Sequence, residues 1–358
     1  MLNTKLVYVL TCSQEGSYIE QALMSIWSAR YHNPDAHIVL LTDDRTDGLL
    51  VGARGGLTDY ISEKIVVPFE DADASMKYRS RWIKTSVRKL VDGDFLFIDC
   101  DTVICRSLEG VDAFDCDLGA VWESHLKVDD YCVRLRNEAV KSNQIIGVDL
   151  IAEGEYFSSG VLFVKDNPVT HRFYDLWHKY WEEGAGMGLS IDQPSMAKAN
   201  RDMGHIIRRI PDTYNCIVFT RNTFIGQAHI LHIASYQNPS FLFTDKVLGL
   251  IRRDGLTDWI RDFLLRPCDS ILPFDYTVRH SSVRERMVWI RHISRTVRII
   301  GNEFPELQSD FPMQSSLRGW VMFLFKLHLY GSGAACWMIW KRLQVLRKGA
   351  LKDNVCRK

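Results

Sequence analysis

Residues 78–108 read YRSRWIKTSVRKLVDGDFLFIDCDTVICRSL, and their pattern decides the fold class. Arg79 to Val91 has helical spacing, with Trp82, Val87 and Leu90 suited to a buried face. Asp92-Gly93 follows as a helix stop, with the glycine where a C-cap needs it. Asp94 to Cys100 then reads as a central strand, because the run FLFI offers apolar side chains to both faces, as in a parallel sheet covered on each side. Asp99 and Asp101, at i and i+2 after that run, point to the same side if the chain stays extended, so both carboxylates can reach one cation. Such a pair suits a hard, oxygen-preferring divalent ion that also binds phosphate oxygens. Turn aspartates that bond their own backbone would show the same spacing. Position favours the site, since ligands of open α/β sheets bind at the carboxyl ends of strands.

Outward from this segment the pattern repeats. Leu6 to Thr11 (LVYVLT) and His37 to Thr42 (HIVLLT) are apolar strands flanking a helical stretch, Ile19 to Ala29, which is the opening of an α/β fold. Ile65 to Pro68, Leu118 to Trp122, Gly160 to Val164 and His229 to Ile233 are further strand candidates, and Val169 to Glu183 and Asp192 to Asn200 are helical. Helical pattern dominates from there, over Phe241 to Leu265, Ser282 to Ile300 and Leu317 to Leu346. The reading is therefore an α/β body with a mixed sheet over residues 1–240 and a helical C-terminal region over 241–358.

Composition bounds the function. The 358 residues are 46% hydrophobic and 25% charged, which suits a globular protein and excludes a disordered or fibrous one. Nine scattered cysteines without a CxxC pair suit a reducing, cytoplasmic setting rather than a disulfide framework or a zinc site. The N-terminal stretch MLNTKLVYVLTCSQEGSY reads as a first strand, not a signal peptide.

The net charge of zero hides a division. From Tyr276 onward there are 15 Lys and Arg against 5 Asp and Glu, or +10, so the rest carries −10. In that tail, arginines alternate with aromatic and aliphatic residues, a pattern that suits helices lying peripherally on an anionic membrane surface or packing on the body with their charges in water. Nothing there resembles a nucleic-acid recognition motif, and the acidic body would oppose one.

Other residues carry chemistry as candidates. Arg81, Lys84 and Arg88 fall at i, i+3 and i+7, along one helical face, where they meet either phosphate oxygens or water. Asp43 and Asp44 end the second strand and either meet a ligand or cap a turn.

The quoted segment resembles the part of GT-A-fold glycosyltransferases, particularly glycosyltransferase family 8, in which a basic helix precedes a strand ending in a DxD motif. Three further matches follow in order: YFSSGVLFV, Ile191-Asp192-Gln193 and Ile230-Leu231-His232, so the resemblance covers roughly residues 5 to 235. It implies a Rossmann-like GT-A sheet with helices on both faces, Asp99, Asp101 and His232 as ligands of Mn²⁺ or Mg²⁺, and Asp192 and Gln193 beside the transferred sugar. Donor contacts would come from Thr11, Tyr18, Arg81, Lys84, Asp99, Asp101, Ser159 and Gly160, with Arg79 an alternative to Arg81. Tyr18 either stacks on a base or packs the following helix, and for Asp192 capping its helix is a role compatible with the first.

The activity so implied is transfer of a hexose from a nucleoside-diphosphate sugar, such as a UDP-sugar, to a glycan or lipid-linked acceptor during surface-polysaccharide assembly, with retention. Sugar-phosphate nucleotidyltransfer and a non-catalytic glycan- or membrane-binding scaffold are the competing readings. After its histidine the family commonly has a glycine and a lysine-proline step, whereas this chain reads HIASYQNP, so either phosphate contact comes from elsewhere, such as Lys84 or Arg221, or the donor geometry differs.

Overall fold

The computed structural model describes residues 1–71, 73–125, 134–217, 225–233 and 240–267. Strand β1 (Lys5–Leu10), helix α1 (Tyr18–His32) and strand β2 (Ile38–Asp43) form the strand-helix-strand opening, with β2 parallel to β1 and Leu6 opposite Ile38. The short α2 (Asp44–Asp47) and a 3-10 stretch lead to β3 (Glu63–Val67), parallel to β2. Helix α3 (Met76–Leu90) starts at Ser75, whose hydroxyl accepts from the Tyr78 amide, and the chain leaves it through Gly93 at φ +79. Strand β4 (Phe95–Ile98) then pairs parallel with β1.

β5 (Thr102–Ile104), β6 (Leu118–Ala120), α4 (Arg134–Ile146) and β7 (Val161–Val164) follow. β7 runs antiparallel to β4 and to β6, which makes the sheet mixed. Helix α5 (Pro168–Gly186) opens with Asn167 and Thr170 in a capping box and with proline where its missing N–H costs nothing. After α6 (Gln193–Asp202), β8 (Ile207–Arg209) completes a seven-stranded sheet of order β3-β2-β1-β4-β7-β6-β8. A second sheet is built from β5, β10 (Ile230–His232) and β9 (Cys216–Ile217), in the order β5-β10-β9. Two helices close the described chain, α7 (Asp245–Asp254) and α8 (Asp258–Leu265).

The apolar runs are explained by the two covered faces. Leu6, Tyr8 and Leu10 of β1, Ile38 and Leu40 of β2, and Leu96 and Ile98 of β4 enter one core, against α1, α7 and α8. Their neighbours Val7, Val9, Val39, Leu41, Phe95 and Phe97 enter the other, with Ile83 and Val87 of α3 and Phe173, Tyr174 and Trp177 of α5. Alternation with period two is present, but both phases are apolar because both faces are buried. Each such side chain contributes roughly 1.5–3 kcal/mol relative to exposure.

Helix α3 departs from its expected face. Ile83 and Val87 are fully buried, Trp82 and Leu90 only partly so, and three cations, Arg79, Lys84 and Arg88, are buried with them. Arg79 pairs with Asp43 at 2.8 Å and Asp44 at 3.0 Å, and Asp43 also caps α2 through the Thr46 amide, so turn capping and ion pairing absorb these two aspartates. Arg88 donates to the Val91 and Gly93 carbonyls and pairs with Asp166. It therefore ties the helix end to the next strand rather than extending the face of Arg81 and Lys84.

Helices α7 and α8 bury Val247, Leu248, Ile251, Ile260, Phe263 and Leu264 in the core on the α1 side, so the body continues past residue 240. The helices expected over 282–300 and 317–346, and the basic segment from 276, lie outside the described residues. Among the described residues no helix is long and apolar enough to cross a membrane.

Candidate functional site

Asp99-Cys100-Asp101 is the link between β4 and β5. The segment bends at Cys100 and Asp101, yet both carboxylates face one cavity, while the Cys100 thiol turns to the Val9 carbonyl at 3.3 Å. The Asp99 amide donates to the Gly160 carbonyl at 2.8 Å and Thr102 Oγ1 to the Asp99 carbonyl at 3.0 Å, so the turn is fixed from both sides.

The histidine arrives through strand pairing. β10 runs antiparallel to β5 with His232 opposite Thr102, and the Ile233 amide donates to the Asp101 carbonyl at 2.9 Å. His232 Nε2 thereby lies 3.2 Å from Asp101 Oδ1. Ligand atoms of Asp99, Asp101 and His232 all lie within 4.8 Å of one another. Burial works against a charged imidazole, but the Asp101 and Asp99 carboxylates outweigh it and raise the His232 pKa. Burial raises the Asp99 pKa, Lys84 opposes this, and Asp101 adds to it. Two carboxylates and an imidazole on one point form a donor set that fits Mn²⁺, and less selectively Mg²⁺.

The cavity measures about 520 Å³, and its lining includes Thr11, Tyr18, Arg81, Lys84, Asp99, Asp101, Ser159, Gly160, Asp192, Gln193 and His232. Arg79 and Asp43 are buried in their own ion pair, whereas Arg81 lines the cavity. His229 faces away, its Nδ1 2.8 Å from the Ser107 carbonyl oxygen and its ring stacked on Tyr214.

A charged network forms the floor. Lys84 Nζ is 3.1 Å from Asp99 Oδ1, 3.2 Å from Ser159 Oγ and 3.5 Å from Asp192 Oδ2, and it lies over the Phe97 ring. Arg81 Nε is 2.8 Å from Asp192 Oδ1, and Ser159 donates to Asp192 at 2.9 Å. Asp192 stands at the N-cap position of α6, yet its side chain makes no cap bond, being committed to this network instead. Burial would raise its pKa, but Lys84 and Arg81 hold it down at about 2. Four carboxylates line the cavity, those of Asp99, Asp101, Glu123 and Asp192, with three cations, Lys77, Arg81 and Lys84. A bound metal ion would offset the remaining acidic excess for an anionic ligand.

Gly160 has a steric role. A Cβ there would stand 2.3 Å from His232 Cε1 and 2.8 Å from Nδ1, so the bare glycine makes room for the imidazole.

Three contributors escaped the sequence. Glu123 lines the cavity and accepts from Gln193 Nε2 at 3.0 Å, Tyr156 lines the wall, and the buried Asn215 accepts from His232 Nδ1 at 2.9 Å. Tyr156 opens the quoted run YFSSGVLFV but was not singled out there, and Glu123 and Asn215 lie in no run with a recognisable spacing. Arg221 and the segment after Ile233 lie outside the described residues.

No family model matches the chain, and no curated protein matches it. Among solved structures it is similar to apo mouse xyloside xylosyltransferase 1, at 12% identity and TM-score 0.41, covering 64% of this chain and 97% of that one. It is also similar to the galactosyltransferase LgtC in complex with donor and acceptor sugar analogs, at 14% identity and TM-score 0.42, covering 86% of this chain and 100% of that one. A further likeness is to the glycosyltransferase GlyE of Streptococcus pneumoniae TIGR4, at 18% identity and TM-score 0.45, covering 74% of this chain and 63% of that one. Likenesses this distant leave the function to be read from the site itself.

Proposed function

We propose that this protein is a metal-dependent GT-A-type glycosyltransferase that moves a hexose from a nucleoside-diphosphate sugar, a UDP-sugar foremost, to a glycan or lipid-linked acceptor in surface-polysaccharide assembly. The observation that carries the reading is the meeting of Asp99, Asp101 and His232 in one cavity with the Arg81, Lys84 and Asp192 network. Asp99, Asp101 and His232 would hold Mn²⁺ or Mg²⁺, which when bound supplies charge stabilisation for the departing diphosphate.

The remaining roles belong to the chain's own residues. Tyr18 and Thr11, where β1 gives way to α1, offer a stacking ring and a hydroxyl to the nucleoside. Arg81 and Lys84 present fixed cations to phosphate or sugar oxygens, and Ser159 and Gly160 shape the wall beside them. Gln193 and Asp192 face the transferred sugar. Asp192 is pinned between two cations and strongly acidic, at about 2, which suits electrostatic stabilisation more than nucleophilic attack. A carboxylate so restrained favours transfer on one face, with the leaving diphosphate accepting the acceptor proton and the anomeric configuration retained.

A panel of nucleotide sugars, assayed with Mn²⁺ and with a chelator, tests the reading. Donor-dependent release of a nucleoside diphosphate, lost in Asp101→Ala with the fold intact, is the expected result. Undiminished transfer by that variant would sink the site, and release of pyrophosphate would assign nucleotidyltransfer instead. Location is proposed as cytoplasmic and peripheral at the membrane through the basic C-terminal segment. Flotation with anionic vesicles checks this, because a tail-deleted protein that binds as well as the intact one removes the membrane role.

A further inference from the structure

Of the three clustered ligand residues, His232 is the one that does not lie at the end of β4, and its ring is held from three sides. Nδ1 lies 2.9 Å from Asn215 Oδ1. Asn215 is fully buried just after the 3-10 turn Asp212–Tyr214, and its Nδ2 donates to Ser158 Oγ at 3.3 Å. With the amide nitrogen committed to Ser158, the carbonyl oxygen is what faces the imidazole. A carbonyl oxygen only accepts, so Nδ1 carries the hydrogen. Beneath the ring Gly160 leaves no slack, since even a methyl group would overlap Cε1 at 2.3 Å. Nε2 is then directed at Asp101 Oδ1, 3.2 Å away.

We infer that Asn215 is a positioning residue, which holds the His232 ring through Nδ1–H and so turns Nε2 to the space shared with Asp99 and Asp101. A carboxylate, like the amide carbonyl, only accepts, so in the metal-free protein Nε2 holds a hydrogen toward Asp101, and a bound cation would take that hydrogen's place. Outer partners of this kind set ring orientation and ligand basicity, and their loss costs about 10- to 100-fold in metal affinity. The role as a metal-orienting residue rests on the metal-site reading proposed above; the hold on the ring does not.

Imidazole ¹H–¹⁵N spectra of the full-length, metal-free protein test the inference, with the His232 signals assigned by their absence from His232→Gln. Wild-type protein is expected to show a hydrogen-bonded, slowly exchanging Nδ1–H, Asn215→Ala to lose it, and Asn215→Asp, which keeps the acceptor, to retain it. Mn²⁺ titration followed by electron paramagnetic resonance should show affinity about 10- to 100-fold weaker in Asn215→Ala and preserved in Asn215→Asp. A rapidly exchanging Nδ1–H in the wild type, or an unchanged Nδ1–H signal in Asn215→Ala, overturns the inference. Should Asn215→Ala fail to fold, Asn215→Asp and the wild type still decide it through the Nδ1–H signal. The expected loss of that signal in Asn215→Ala without Mn²⁺ binding by the wild type would uphold the hold on the ring and overturn the metal-site reading alone.

Discussion

Lys84 Nζ lies 3.1 Å from Asp99 Oδ1, so a buried ammonium flanks the same carboxylate that is proposed to bind a divalent cation. The two cations compete for one oxygen donor. Lys84→Gln should therefore tighten Mn²⁺ binding several-fold while lowering transfer, because the ammonium repels the ion but serves the donor. Metal-free stability should fall by roughly 3 kcal/mol, since Asp99 and Asp192 lose a buried partner. Thermal unfolding with and without Mn²⁺ reads both effects: the metal-induced rise in Tm should exceed that of the wild type. A smaller rise would contradict the competition.

Gly160→Ala places a methyl group 2.3 Å from His232 Cε1, with backbone beneath and Asn215 behind the ring. The ring must move, and the expected loss of Mn²⁺ affinity is on the order of 10- to 100-fold. Ser159→Ala, one residue earlier, leaves the imidazole in place and should bind Mn²⁺ nearly as the wild type does. Equal affinities in the two variants would remove the steric role of the glycine.

Asp192 gives a pH dependence of defined sign. Its carboxyl is held at about 2 against 3.8 for an unperturbed carboxyl, so the folded state binds this proton less readily than the unfolded chain. The resulting stability, roughly 2 kcal/mol at 1.36 kcal/mol per unit, is present above the unfolded value and lost as pH falls through the folded one. The stability gap between wild type and Asp192→Asn should shrink as pH falls from about 5 toward about 2. Denaturant titrations across that range measure it, and a gap that stays constant or widens toward acid would refute the assignment.

Glu20, almost wholly buried, holds Arg54 Nε at 2.6 Å and Arg252 Nε at 3.1 Å, and both guanidiniums donate to the Gly16 carbonyl. An arginine of α7 thus helps to set the loop whose ends, Thr11 and Tyr18, line the cavity. Arg252→Ala should raise the donor KM several-fold with kcat little changed, since ground and transition states would lose the same binding. A lowered kcat with unchanged KM would argue against a role in donor seating.

Helices α7 and α8 also make the body depend on residues past 240. A chain ending there would expose the apolar faces that receive Val247, Ile251, Ile260 and Phe263. Such a truncation should be insoluble or unfolded by circular dichroism, whereas one ending after Pro267 should fold.

The local elements were legible wherever their own pattern was strong. β1, β2 and β4 are apolar in both phases, which only a two-sided burial demands, and Gly93 marks the stop after α3, whereas the caps Ser75 and Asn167 were shown by the structure. The pair Asp99 and Asp101 was readable as two carboxylates two residues apart after a strand, although the chain bends at Cys100 and Asp101 and backbone bonds to Gly160 and Ile233 hold that bend. β5, β8 and β9 were not read: their two or three residues stand without a longer strand-like run around them, unlike the equally short β6 and β10, and a partner strand satisfies their backbone.

By itself the sequence determined the α/β order, the carboxylate pair and the list of residues suited to phosphate and sugar. Which cations serve the cavity was decided by packing, which sent Arg79 to Asp43, Arg88 to the helix end, and left Arg81 and Lys84 facing Asp192. The position of His232 was likewise a tertiary decision, made by the register of β10 on β5, the space above Gly160 and the carbonyl of Asn215. The physical reason is common to both cases. A side chain's type and local spacing are written along the chain, but its partner is set by strand register and by the shape of what it packs against, which residues distant in sequence supply together.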